Sequence, residues 1–117
     1  MKYELIYTLG RGVDAECNMK GARGDLLLRN MKGEYYELNY ISIERLTNSL
    51  DENDSCFFDS NLIIVLNMDF ETILKSIKSL IKQSFIEWNW RPLTIEQVEN
   101  FYYPIESWET YEITNDL

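Results

Sequence analysis

Histidine is absent from this chain of 117 residues. The chain therefore lacks the side chain that most often serves as general base near neutral pH and as metal ligand. Hydrolase, nuclease and zinc chemistry lose their easiest route, so the expectation is no enzyme, no catalytic residue, no metal and no cofactor. Basic side chains are also scarce: 11 lysines and arginines stand against 20 aspartates and glutamates, a formal net charge of −9. A folded surface with that surplus draws basic partners and repels nucleic acid and anionic membranes. Long apolar runs are missing, and nothing approaches the roughly 20 residues of a membrane span. The first apolar stretch contains Glu4 and reaches Gly10 too early for a signal-peptide core. Cysteine is limited to Cys17 and Cys56, far apart and without CxxC spacing, which suits a reducing compartment. A cytoplasmic location is the simplest expectation.

What is present belongs to a folded protein. Hydrophobic residues make up 45% and aromatics 14%, too many for an acidic disordered tail. The length suits one domain over residues 1–117, which buries roughly two-thirds of the surface of the unfolded chain. Tyr3 to Leu9 reads as a strand ending at Gly10, and the glycine-punctuated stretch from Gly10 to Gly24 reads as a long loop. Leu26 to Leu28, the turn Asn30-Met31-Lys32-Gly33 and Glu34 to Ile41 read as a hairpin. In its second arm Tyr36, Leu38 and Tyr40 alternate with Tyr35, Glu37 and Asn39, so one face is buried and the other wet.

Ser42 is placed to cap a short helix carrying Ile43, Leu46 and Leu50, which the run Asp51-Glu52-Asn53-Asp54 ends. The uninterrupted apolar run Leu62 to Leu66 predicts a central strand. Asp69 caps a long helix with Phe70, Ile73, Leu74, Ile77, Leu80 and Ile81 on one face and Glu71, Lys75, Lys78 and Lys82 outside. Thr94 and Gln97 have capping-box spacing ahead of a second short helix, and Trp108 to Ile113 alternates like a half-exposed strand. The order predicts an α+β fold, a mainly antiparallel sheet packed against one long and two short helices.

Catalytic patterns fail one by one. The glycines near Arg11 and Arg23 match neither phosphate-loop spacing, Cys17 has no histidine to activate it, and Asp51, Glu52, Asp54 and Asp59 lack the glycine and terminal glutamate of a calcium loop. The informative pattern is acid interleaved with aromatics in two blocks. From Glu34 to Asp59, seven carboxylates face only Arg45 and lie among Tyr35, Tyr36 and Tyr40; after Trp90, six face only Arg91 beside Tyr102, Tyr103, Trp108 and Tyr111. Tyrosine and tryptophan supply rigid contact area at interfaces, and neighbouring carboxylates pair with a partner's arginines and lysines. The predicted partner-binding residues are Glu106, Trp108, Glu109, Tyr111 and Glu112, followed by Asp51, Glu52 and Asp54 and by Tyr35 and Glu37.

In these respects the chain resembles the small acidic immunity proteins of bacterial contact-dependent growth inhibition and other polymorphic toxin systems. The resemblance is a pattern over the whole chain rather than a motif. It implies a cytoplasmic protein that binds a cognate toxin domain and blocks its active site, commonly the basic cleft of a nuclease. Carboxylates can occupy such a cleft as phosphate surrogates. Two other classes fit the composition: a nucleic-acid mimic that inhibits a host enzyme, and a small ligand-binding module with Phe85, Trp88 and Trp90 as a pocket wall.

Overall fold

Five strands form one sheet in the computed structural model, which describes residues 2–7, 21–50, 56, 58–101 and 109–114. The strands are β1 (Lys2–Tyr7), β2 (Ala22–Arg29), β3 (Tyr35–Ser42), β4 (Leu62–Val65) and β5 (Glu109–Thr114), ordered β4-β3-β2-β1-β5. All pairings are antiparallel except β3 with β4. That parallel pair needs a crossover, and α1 (Ile43–Ser49) lies within it. The remaining helices, α2 (Phe70–Lys82), α3 (Phe85–Asn89) and α4 (Ile95–Glu99), fall between β4 and β5. The fold is α+β.

Alternation sorts the side chains. Tyr3 and Leu5 of β1, Leu26 and Leu28 of β2, Tyr36, Leu38 and Tyr40 of β3, Val65 of β4 and Ile113 of β5 join one buried cluster with Ile73, Ile77 and Ile81 of α2 and Ile86 of α3. The three α2 isoleucines recur every four residues and so form one stripe against the sheet. Asp69 caps α2 by accepting from the Thr72 backbone N–H at 2.7 Å, and that bond holds its carboxyl below its ordinary pKa. Ser42 accepts from Arg45 N at 3.1 Å to cap α1. The Thr94–Gln97 capping box on α4 is complete in both directions.

The opposite face of the sheet carries a polar row across four strands. Arg29 donates to Glu4 at 2.8 and 3.1 Å and to the Tyr35 hydroxyl at 3.0 Å, and Glu4 stands opposite Glu112 of β5. Like charges directly opposite are unfavourable. Arg29 answers one of them, and Lys2, 3.1 Å from Glu112, answers the other. Ile6, Leu27 and Ile41 are buried on this side as well.

Three expectations need correction. Leu62 to Leu66 is not a central strand: among the described residues β4 is at the edge of the sheet. It pairs in parallel with β3 and buries Val65, while Ile64 is half exposed and Leu66 more so. The long loop does not extend to Gly24, because β2 begins at Ala22 and absorbs Gly24 in a register shift between Arg23 and Leu26. Arg23 there is buried, with its guanidinium forked onto the Asp25 carboxylate at 2.8 and 3.2 Å. There is also a third short helix, α3, where only an aromatic segment was expected.

Candidate functional site

The β2–β3 turn is built by Asn30. Its side-chain oxygen accepts from the backbone N–H groups of Lys32 and Glu34 at 3.0 and 2.9 Å, and its carbonyl accepts from Gly33 N at 3.1 Å. This is the local bonding that makes asparagine a turn residue. Gly33 supplies the positive φ of +80° that lets the chain reverse. The Asn30 amide also donates to the Glu34 carboxylate at 2.9 Å, which fixes where that charge stands. On the helical side, α3 ends at Trp90, whose backbone N–H bonds the Ile86 carbonyl at 2.9 Å. The chain then runs extended, and Leu93 N donates to the Tyr35 carbonyl at 2.7 Å, tying this segment to the start of β3.

Between these pieces lies a cleft of about 570 Å³. Tyr3, Tyr36, Glu34 and Glu87 line it, with Trp90, Pro92 and Met31 as its apolar lining. The Tyr3 hydroxyl donates to Glu87 at 3.2 Å. Burial, followed by the field and hydrogen bond of Glu87, pushes the Tyr3 phenol up to about 12. Burial, then the charges of Glu34 and Glu87, raises Tyr36 as well. Both phenols therefore stay protonated as hydrogen-bonding groups, chiefly because they are buried and secondarily because two carboxylates are near. Trp90 meets Phe85 edge-on at 6.2 Å, whereas Trp88 is 84% exposed and does not line the cleft. Among the described residues no set of three carboxylates or thiols converges to hold a metal, and Cys56 is a free, exposed thiol.

β5 adjoins the cleft through Lys2, which lines it and pairs with Glu112. Among the described residues β5 has one neighbouring strand, β1, so its other edge faces outward. Glu109, Thr110 and Glu112 are exposed. Tyr111 is 40% exposed, with its ring against Phe70 of α2 at 5.6 Å in an edge-on contact. Tyr111 is therefore partly a packing residue.

The other predicted residues are divided. Tyr35 and Glu37 are on the outer face of β3, where Tyr35 accepts from Arg29 and lies under its guanidinium, and Glu37 accepts from the Asn39 amide at 2.7 Å. Both are half-buried and already bonded within the sheet. Glu106, Trp108, Asp51, Glu52 and Asp54 lie outside the described residues. The grouping of Tyr3, Glu34, Tyr36, Glu87 and Trp90 was not anticipated. Glu34 and Tyr36 were visible in the first acidic block and Trp90 beside Phe85 and Trp88, but the Tyr3–Glu87 bond joins positions 84 residues apart and leaves no spacing to read. No family model, curated protein or solved structure matches this chain.

Proposed function

We propose that the protein is a non-catalytic inhibitor of immunity type, which binds a basic cognate toxin domain, a nuclease, in the cytoplasm and masks its phosphate-binding residues. The observation that most supports this reading is β5: a strand with an outward edge that presents Glu109 and Glu112 around a half-exposed Tyr111. An exposed strand edge is a natural place for another chain to attach. Acid flanking it selects a basic surface and speeds encounter with it.

The test is charge reversal on this strand. Glu109→Lys with Glu112→Lys moves the formal net charge from −9 to −5, since each change adds two charges. Association with the toxin domain recovered by pull-down should slow roughly tenfold or more and lose most of its salt dependence. Unchanged association kinetics would count decisively against the proposed edge. Thermal unfolding should move little, because Glu112 and its partner Lys2 are both more than half exposed.

A second reading, a ligand-binding module, is favoured by the cleft itself, whose volume falls within the range of small-molecule sites. Its signature is thermal stabilisation by a small molecule in the absence of any protein partner.

A further inference from the structure

The cleft has a chemistry of its own. Among the described residues neither Glu34 nor Glu87 is in an ion pair: Glu34 accepts from a neutral amide and Glu87 from a neutral phenol. Each of those bonds uses one carboxylate oxygen, and among the described residues the second oxygen of each has no partner. The two lysines of the lining do not offset these charges directly. Lys2 is committed to Glu112 at 3.1 Å, and Lys32 is exposed on the turn. The same cleft is lined by Trp90, Pro92 and Met31. Fixed negative charge above aromatic and aliphatic surface suits a cation carried on an apolar stem, since the head finds carboxylates and ring faces while the stem stays in apolar contact.

From this arrangement we infer that the cleft receives an arginine or lysine side chain presented by the protein partner. Glu34 and Glu87 hold the cationic head, and Trp90 and Pro92 flank the stem. The inference rests on the partner-binding reading above and adds a second anchor point to it, joined to β5 through Lys2. It also explains the rigidity of the turn. The Asn30 bonds hold Glu34 in place before any partner arrives, so little ordering entropy is lost on contact. An anion is disfavoured, because it would lie against two carboxylates, with Lys2 held by Glu112 and Lys32 exposed on the turn.

The experiment is a titration of the isotope-labelled full chain with N-acetyl-arginine methylamide, followed by amide and indole NMR shifts. The controls are the citrulline analogue, which has the same shape without the charge, and free arginine. The capped arginine should move the Trp90 indole and the amides of residues 31–34 saturably at roughly millimolar concentration, with the citrulline analogue at least about tenfold weaker. Glu34→Gln and Glu87→Gln should each weaken binding several-fold, and the same pair should slow release-resistant capture of the toxin domain less than β5 reversal does but measurably.

Absence of saturable shifts, or equal shifts with citrulline, overturns the inference on the wild-type protein, whatever the variants do. Free arginine binding more than about tenfold tighter than the capped form would make this a small-molecule site and overturn the partner assignment. Cleft failure alongside intact β5 dependence leaves the proposed function standing. Capped-arginine binding with toxin affinity indifferent to both glutamine variants overturns the inference alone.

Discussion

Raising the pH should unfold this protein cooperatively before its buried tyrosines ionise. Tyr3, Tyr36 and Tyr40 are all buried, and all three phenols are shifted upward. For Tyr40, burial dominates and the 2.7 Å bond to Ser76 pulls weakly the other way. A phenol whose folded pKa exceeds its unfolded one contributes stability in full below the unfolded value, near 10, and loses it as pH rises toward the folded value. Tyr3, pushed up to about 12, loses its contribution between about pH 10 and 12, roughly 2 kcal/mol after allowing for water that enters the cleft. With Tyr3 and Tyr40 protonated in the folded state and ionised in the unfolded state, stability falls by about 3 kcal/mol per pH unit in that window, and Tyr36 acts in the same direction. A domain of this size has about 5–15 kcal/mol in total.

Far-UV circular dichroism and phenolate absorbance should therefore change together for the part of the signal that Tyr3, Tyr36 and Tyr40 supply. Tyr3→Phe sharpens the test. It removes the bond to Glu87 and should cost about 1 kcal/mol at neutral pH, yet make the protein the less alkali-sensitive of the two. Ionisation of all eight tyrosines near pH 10 with unchanged circular dichroism would refute the reasoning.

Ile77, fully buried in the α2 stripe, should cost about 2–5 kcal/mol on truncation to alanine, a fall of roughly 8–20 °C in melting temperature; Lys78→Ala on the outer face should stay within about 0.5 kcal/mol. Gly33→Ala meets open space and only the strain of φ +80°, about 1 kcal/mol, whereas Gly21→Ala at φ +70° also drives its Cβ to 2.6 Å from the Ser42 Oγ that caps α1. Chemical denaturation should rank Gly21→Ala as clearly the worse. Arg29→Met removes three hydrogen bonds and leaves Glu4 facing Glu112; a double-mutant cycle with Glu4→Gln should return a coupling of about 0.5–1 kcal/mol.

Local chemistry carried much of the fold into view. The Asp69 cap, the four-residue isoleucine period of α2, the Asn30–Gly33 turn and the Thr94–Gln97 box each act within one turn of chain, so spacing alone reveals them. β4 shows where this fails. A run of β-branched residues is equally at home in the middle of a sheet or, as here, on an edge paired in parallel, because the run does not say how many neighbours it has. α3 is only five residues long, with a single buried anchor in Ile86, too little to set up a period. The acidic character of β5 was legible as Glu109, Tyr111 and Glu112, but the contact of Tyr111 with Phe70 was not. The cleft depended wholly on tertiary approach: β1, the β2–β3 turn and the end of α3 each supply one part, and none signals the others.

The pairing of β1 with β5 sets a timetable for synthesis. Glu4 leaves the ribosome 108 residues ahead of Glu112, the residue it faces in the sheet. At about 5–20 residues per second that is a wait of roughly 5–20 s. During that interval β1 can already pair with β2, and the turn and α3 can frame the cleft, but the outer side of β1 is an open strand edge. The nascent chain is then exposed to unwanted pairing, and the charges of Lys2 and Glu4 on that strand discourage it. If β5 is the partner-binding strand, that surface forms only after the other four described strands have been made, so engagement of a partner through it waits on a sheet that is otherwise already in place.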